Sequence, residues 1–133
     1  SLKLKLQVTQ NDLIGFINNS GHRTSVKGNI FKELNMLNVE DRVSQMTLNY
    51  VHKICYHKCP SYLKDHFTKI SAIHKYNNRS SSFNFHVPCI NSSTSNTFYY
   101  NAILVWHCLP IRIKKIKNNY YLKKQVKKHL LDC

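Results

Sequence analysis

FNFHVPCINSSTSNTFYYNAILVW, residues 83 to 106, decides the architecture of this chain. Phe83, Phe85 and Val87 alternate on one side, the two-residue period of a half-buried strand. INSSTSN follows as a turn or short loop, and TFYYNAILVW is a second run rich in aromatic and β-branched residues, the types enriched in strands. The two runs predict an antiparallel hairpin or ribbon over about 83–106, closed by Leu109 and Pro110.

Outside that stretch the periodicity is helical. LKLKLQV alternates at its start, but over the longer window Leu6, Leu13, Ile14 and Ile17 share one helical face, so a helix is expected from about residue 3 to residue 18. Asn18, Asn19, Ser20 and Gly21 end it, and GHRTSVKG reads as a loop. FKELNML predicts a short helix with Phe31, Leu34 and Leu37 on its inner face. NVEDRVSQMTLNYVHKICYHK is the clearest helix: Asn38 suits the N-cap, and Glu40 and Asp41 complement the dipole of the first turn. Val39, Val43, Met46, Tyr50 and Ile54 form its expected apolar stripe. Pro60 stops this helix and starts a short one in PSYLKDHF, and residues 71–82 read as a basic loop. In NNYYLKKQVKKHLLD, Leu122, Val126 and Leu130 mark the packed face of a last helix. The expected fold is α+β, mostly helical, with one β-ribbon and a basic C-terminal helix. It reads as a single domain or fragment over 1–133, with a helical part (1–70), the ribbon (83–109) and a basic helical tail (110–133).

Composition narrows the function. The chain has 133 residues, 42% of them hydrophobic, with three Gly and three Pro, which argues against disorder and against a loop-rich scaffold. It starts at Ser1 without a methionine and so reads as a piece of something longer. No run is long and apolar enough to suggest a membrane span or a signal peptide. Five cysteines, an odd count, read as reduced thiols in an intracellular protein of nucleus or cytoplasm, not a secreted one.

Twenty basic residues against six acidic ones give a net charge of +14. Such an excess calls for an acidic partner, and nucleic acid leads, because Lys and Arg contacts to phosphate supply most non-specific affinity. Half of the excess lies in residues 111–133, where Arg112, Lys114, Lys115, Lys117, Lys123, Lys124, Lys127 and Lys128 face Asp132 alone. On a helix, the last four of these lysines form one contiguous stripe, with no interspersed acids to pair at i,i+4. Arg79 is a supporting cation. Lysine outnumbers arginine sixteen to four, which suits phosphate binding better than the reading of base edges.

Several chemistries are not supported. Two-metal nucleotidyl transfer needs clustered carboxylates, and the one adjacent pair, Glu40 and Asp41, sits at a helix start. Three scattered glycines build no phosphate loop. HKICYHKC offers Cys55, Cys59 and His52, with His66 downstream, as zinc candidates, but their spacing matches no familiar ligand set, and buried thiols are the expected state. No cofactor is expected.

LQVTQNDLIGFI, LNMLNVEDRVSQMTLNYVHKI, CPSYLKDHF, FHVPCINSSTSNTFYYNAILVWHCLP and a basic helix ending KKHLL, in that order, resemble the C-terminal region of non-LTR (LINE-type) retrotransposon reverse transcriptases, over nearly the whole chain. In that family a helix of the "LQ..QN" kind follows the polymerase core, and a "P.YL" turn, a "VPR" segment, an aromatic "F.Y.A...WN.LP" block and an "F...LK.HLL" helix come after it. His107 stands where the family usually has Asn, Cys89 where it has Arg, and Gly15 where Arg is common. The polymerase fingers and palm, with their catalytic aspartates, lie outside this piece.

The resemblance implies a non-catalytic fragment that holds template RNA or target DNA, with RNA or DNA and the polymerase core of the parent protein as partners, and no membrane. Trp106 and Pro110 would be structural anchors setting the angle of the basic tail, since a Trp beside Ile103, Leu104 and Val105 reads as core. Tyr99, Tyr100, Tyr120 and Tyr121 are the candidates for stacking on bases. Two other classes fit the sequence: a protein-docking module that packs its first and last helices on the polymerase thumb, and a small basic ribonuclease using its histidines and lysines.

Overall fold

The computed structural model describes residues 1–19, 28–56, 58–75, 82–89, 91, 93 and 97–133. Among them the chain is mostly helical. In order the helices are α1 (Leu2–Ile17), α2 (Gly28–Glu33), α3 (Val39–Cys55), α4 (Ser61–Lys64), α5 (Ile70–Ile73), α6 (Phe98–Cys108), α7 (Ile111–Lys114) and α8 (Asn119–Asp132). No helix among the described residues is long and apolar enough to cross a membrane. The chain divides into two compact units, Ser1–Gln45 with Lys127–Cys133, and Met46–Val126, so α3 and α8 each contribute to both.

The predicted β-ribbon is not formed. Its second run is the helix α6, capped by Thr97, whose hydroxyl accepts from the Tyr100 amide (3.4 Å). Ala102, Ile103 and Trp106 are buried, at the i, i+1, i+4 spacing of one helical face. Aromatic and β-branched residues favour strands mainly because they pack well on a half-buried surface; here they find that packing on a helix. The first run is extended, as expected, but its partner lies elsewhere. Phe85 forms an isolated antiparallel bridge with Lys69: the Ile70 amide donates to the Asn84 carbonyl (3.0 Å), and the His86 amide to the Thr68 carbonyl (2.7 Å).

In the first unit, α1 and the start of α3 fall close to the expected limits. Asn38 caps α3 by accepting from the Asp41 amide (2.7 Å), and the part-buried first-turn amide of Val39 donates to Gln7 Oε1 (3.0 Å). Gln10 Nε2 donates to the Leu37 carbonyl (2.8 Å) and Gln7 Nε2 to Asn11 Oδ1 (2.9 Å). The face that α1 turns inward is therefore Gln7, Gln10, Asn11 and the buried Ile14. Leu6, Leu13 and Ile17, expected to pack with Ile14, are exposed instead. Polar satisfaction at the start of α3 selects the amide face, because a buried amide without a partner costs more than an exposed leucine. Asn35 ends α2 in the left-handed conformation (φ 52°), with the Met36 amide returning to the Phe31 carbonyl (2.8 Å) and the Asn35 amide to Lys32 (3.1 Å).

The second unit has the larger core. On the part of α3 that belongs to this unit the buried positions are Leu48, Val51, His52, Ile54 and Cys55, while Val43 and Met46 of the expected stripe are exposed. The sequence holds two overlapping runs at steps of three and four, and the one ending in Cys55 faces inward. Aromatic rings then link elements in sequence: Tyr50 to Phe67 (6.4 Å), Phe67 to Phe85 (5.4 Å) and Phe85 to Trp106 (6.4 Å), all tilted or edge-on.

Trp106 is fully buried, and its Nε1 donates to the Phe83 carbonyl (2.7 Å). The next residue, His107, donates from Nε2 to the Phe85 carbonyl (2.9 Å). Two neighbours on α6 thus hold both ends of the 83–85 segment that the bridge to Lys69 holds from its other edge. Trp106 sits on a helix rather than on the expected ribbon. Replacing it by Phe keeps most of the ring but orphans the Phe83 carbonyl and leaves a void. We expect Trp106→Phe to lower stability by about 2–4 kcal/mol, read by urea unfolding followed by circular dichroism, since the variant loses the one tryptophan fluorophore.

Candidate nucleic-acid interface

Pro110 (φ −58°) opens α7, the four residues Ile111–Lys114. Its core side carries Ile113 and Lys114; Ile111 and Arg112 face solvent. Lys114 is 4% exposed, and its ammonium donates to Asn84 Oδ1 (2.9 Å) and to the His107 carbonyl (3.5 Å), 5.9 Å from the centre of the Trp106 ring. Burial holds its pKa below the ordinary lysine value, against the opposite pull of Cys108 and Cys55. This removes Lys114 from the expected surface group. It completes the grip on residues 83–85.

The turn from α7 to α8 is fastened to the end of α3 by three donors. Tyr56 Oη donates to the Lys114 carbonyl (3.0 Å), His52 Nε2 to the Ile116 carbonyl (2.5 Å), and Lys58 Nζ to the Lys117 carbonyl (3.4 Å). Asn118 then starts α8 by accepting from the Tyr120 amide (2.9 Å). Leu122 and Val126 are buried, Leu130 is half-buried, and the opposite side of α8 is cationic.

Arg112, Lys115, Lys117, Lys123, Lys124 and Lys128 are exposed, and Lys127 is half-buried. Arg79 lies outside the described residues. Tyr120 (71% exposed) and Tyr121 (58%) stand one turn before Lys123, Lys124 and the rest of the stripe. Of the other tyrosines, Tyr99 is half-buried and stacked on His66 (4.1 Å, 15° between planes), and Tyr100 is half-buried. Sequence reasoning missed Lys58. It brings a further exposed ammonium to the α7–α8 turn, and its distance along the chain from Lys117 hid it.

The zinc candidates do not assemble. His52 and Cys55 are buried, His52 being committed to Ile116; Cys59 is half-buried, and His66 is exposed against Tyr99. No group of three His, Cys, Asp or Glu side chains that could hold a metal occurs among the described residues. Burial raises the Cys55 thiol above its ordinary pKa, so it stays protonated. Comparison with protein-family models, with curated proteins and with solved structures finds no match.

His52 is fully buried, and its Nδ1 has no hydrogen-bond partner. Burial lowers its pKa from the ordinary 6.5, partly offset by the Ile116 bond and aided by Lys58. The folded state then binds fewer protons than the unfolded one, so the contribution is intact above pH 6.5 and is lost as pH falls below it. His107, lowered by burial as well, acts in the same sense. Urea midpoints measured from neutral to mildly acidic pH should fall toward acid. In His52→Gln, whose amide can still reach Ile116, the fall should be smaller but not abolished.

Proposed function

We propose that this chain is a non-catalytic nucleic-acid-binding fragment, and that α7, α8 and the turn between them contact the phosphate backbone through Arg112, Lys115, Lys117, Lys123, Lys124, Lys127 and Lys128. The observation that carries the reading is the exposed cationic side of α8, with two exposed tyrosines in its first turn, on a segment tied to the core by three side-chain donors. Cations on a fixed element lose little freedom when they meet phosphates, and an exposed Tyr beside them can take a base on its face. The acid in this region, Asp132, is paired with Lys32 (3.5 Å) in the first unit. The order of sequence motifs supports placing the fragment after the polymerase core of a non-LTR retrotransposon reverse transcriptase. There it holds template RNA or target DNA during reverse transcription primed at the target.

The test is fluorescence anisotropy with an RNA hairpin and a DNA duplex across a salt titration. With four to seven phosphates engaged, log affinity should fall against log salt with a slope of about −3 to −6. Replacing Lys123, Lys124, Lys127 and Lys128 together by Glu should abolish binding at about 0.15 M salt. Lys114→Met should leave the slope unchanged, because that ammonium faces Asn84. A flat salt response, or unaltered affinity in the four-Glu variant, would refute the reading.

A further inference from the structure

α1 is inside out. Its inward face is Gln7, Gln10, Asn11 and Ile14, while Leu2 (74% exposed), Leu6 (51%), Leu13 (59%) and Phe16 (84%) point away from the rest of its unit. With Thr9 these residues recur at steps of four, three, four and three, the a/d spacing of a coiled-coil seam. Thr9 fits such a seam because its hydroxyl already donates to the Lys5 carbonyl (3.0 Å), leaving the methyl to pack. Ile17 (63% exposed) widens the stripe at its end. No described residue of its own unit covers it. The spacing specifies a helical partner, and the charges flanking the stripe say which one.

Lys5 and Asp12 sit at the positions bordering the seam on one side, and Lys3 and Gln10 on the other. If a second α1 lies antiparallel, Leu2 meets Leu13 of its mate and Leu6 meets Thr9, and this register brings Lys5 opposite Asp12 twice, once at each end. Lys3 then faces Gln10, and no like charges oppose each other. A parallel pair would set Lys5 against Gln10 and Asp12 against Ile17, with no ion pair. We propose that α1 is the dimerisation helix of this chain, pairing antiparallel with α1 of a second copy. The helix spans about 24 Å, so the seam is at or below the small end of stable interfaces and should dissociate in the micromolar range. Because each copy carries +14, added salt should tighten the pair by screening repulsion between copies. Salt weakens phosphate binding, so the two readings fail independently.

The test is analytical ultracentrifugation of the full 133-residue chain, reduced and free of nucleic acid, between about 1 and 100 µM. The expected result is a monomer–dimer equilibrium that Leu6→Asp with Leu13→Asp reduces to monomer throughout. Circular dichroism should remain that of the parent chain, since both side chains are exposed in the single copy. Lys5→Asp alone and Asp12→Lys alone should each weaken the dimer about five-fold or more, and the two together should restore it. A parent chain that stays monomeric at every concentration overturns the proposal, and so does a dimer that survives the paired Asp substitutions. A charge swap that fails to restore pairing overturns the antiparallel register and the proposal with it.

Discussion

The indole of Trp106 is the contact on which the second unit depends. Its ring is fully buried, so its N–H must find an acceptor inside the protein, and the Phe83 carbonyl supplies one at 2.7 Å. That bond fixes the rotation of α6. With the rotation set, His107 reaches the Phe85 carbonyl, and Ala102 and Ile103 face the core. Leu109, also buried, then brings Pro110 to the point from which α7 departs. Among the described residues the extended segment 83–85 joins no sheet, and is held instead by side chains from α6 and α7 on one edge and by backbone 68–70 on the other.

Lysine has two uses in this protein, divided by a single turn of helix. Lys114 points inward, where a buried ammonium is tolerable only with its hydrogen bonds made, here to Asn84 and to the His107 carbonyl, beside the face of Trp106. Arg112 and Lys115 point outward and remain hydrated. The inward lysine helps to fasten the backbone that presents the outward ones. Tyr56, His52 and Lys58 do the rest by holding the carbonyls of residues 114, 116 and 117. A cationic segment of this charge density would otherwise repel itself and fray; tied down, the α7–α8 turn is held within the second unit.

How much of this was legible depended on how many physical demands bore on each segment. The extent of α3 could be read from its cap and first-turn acids, and the packed face of α8 from its period: Asn38 accepts the Asp41 amide, and Leu122 and Val126 are buried, although Val43 and Met46 of the stripe expected on α3 are exposed. α6 reads as a strand because Phe98–Trp106 satisfies strand preferences residue by residue. The better clue was Thr97 as a cap, followed by Ala102, Ile103 and Trp106 at helical spacing. The extent of α1 was legible, but which face it buries was not. Hydrophobicity points to the leucines, whereas the choice rests on Gln7 and Gln10 meeting backbone groups at residues 39 and 37. Within the basic tail, charge counting found the exposed cations. It could not separate Lys114 from Lys115, because that distinction comes from where Pro110 starts a helix too short to show a period.

The two units meet their need for burial differently. The second buries many apolar side chains, Leu48, Phe67, Phe85, Trp106 and Leu122 among them. In the first, the buried side chains among the described residues are Ile14, Leu37 and Gln45, while more large apolar groups of α1 lie in solvent than in the core. At roughly 25 cal/mol per Å² of apolar surface removed from water, so few buried side chains supply little stabilisation. Directional bonds take a larger share there, from Gln7, Gln10 and Asn38. Such bonds fix orientation well but contribute only about 1 kcal/mol each. A unit built this way is well defined in geometry and modest in stability, and burying the leucine stripe of α1 would supply what its interior lacks. The same side-chain amides that tie α1 inward therefore keep its apolar face aligned and available. An outward stripe on a helix held by amide bonds is thus consistent with an interface, whereas on a loosely held helix it would have rolled inward.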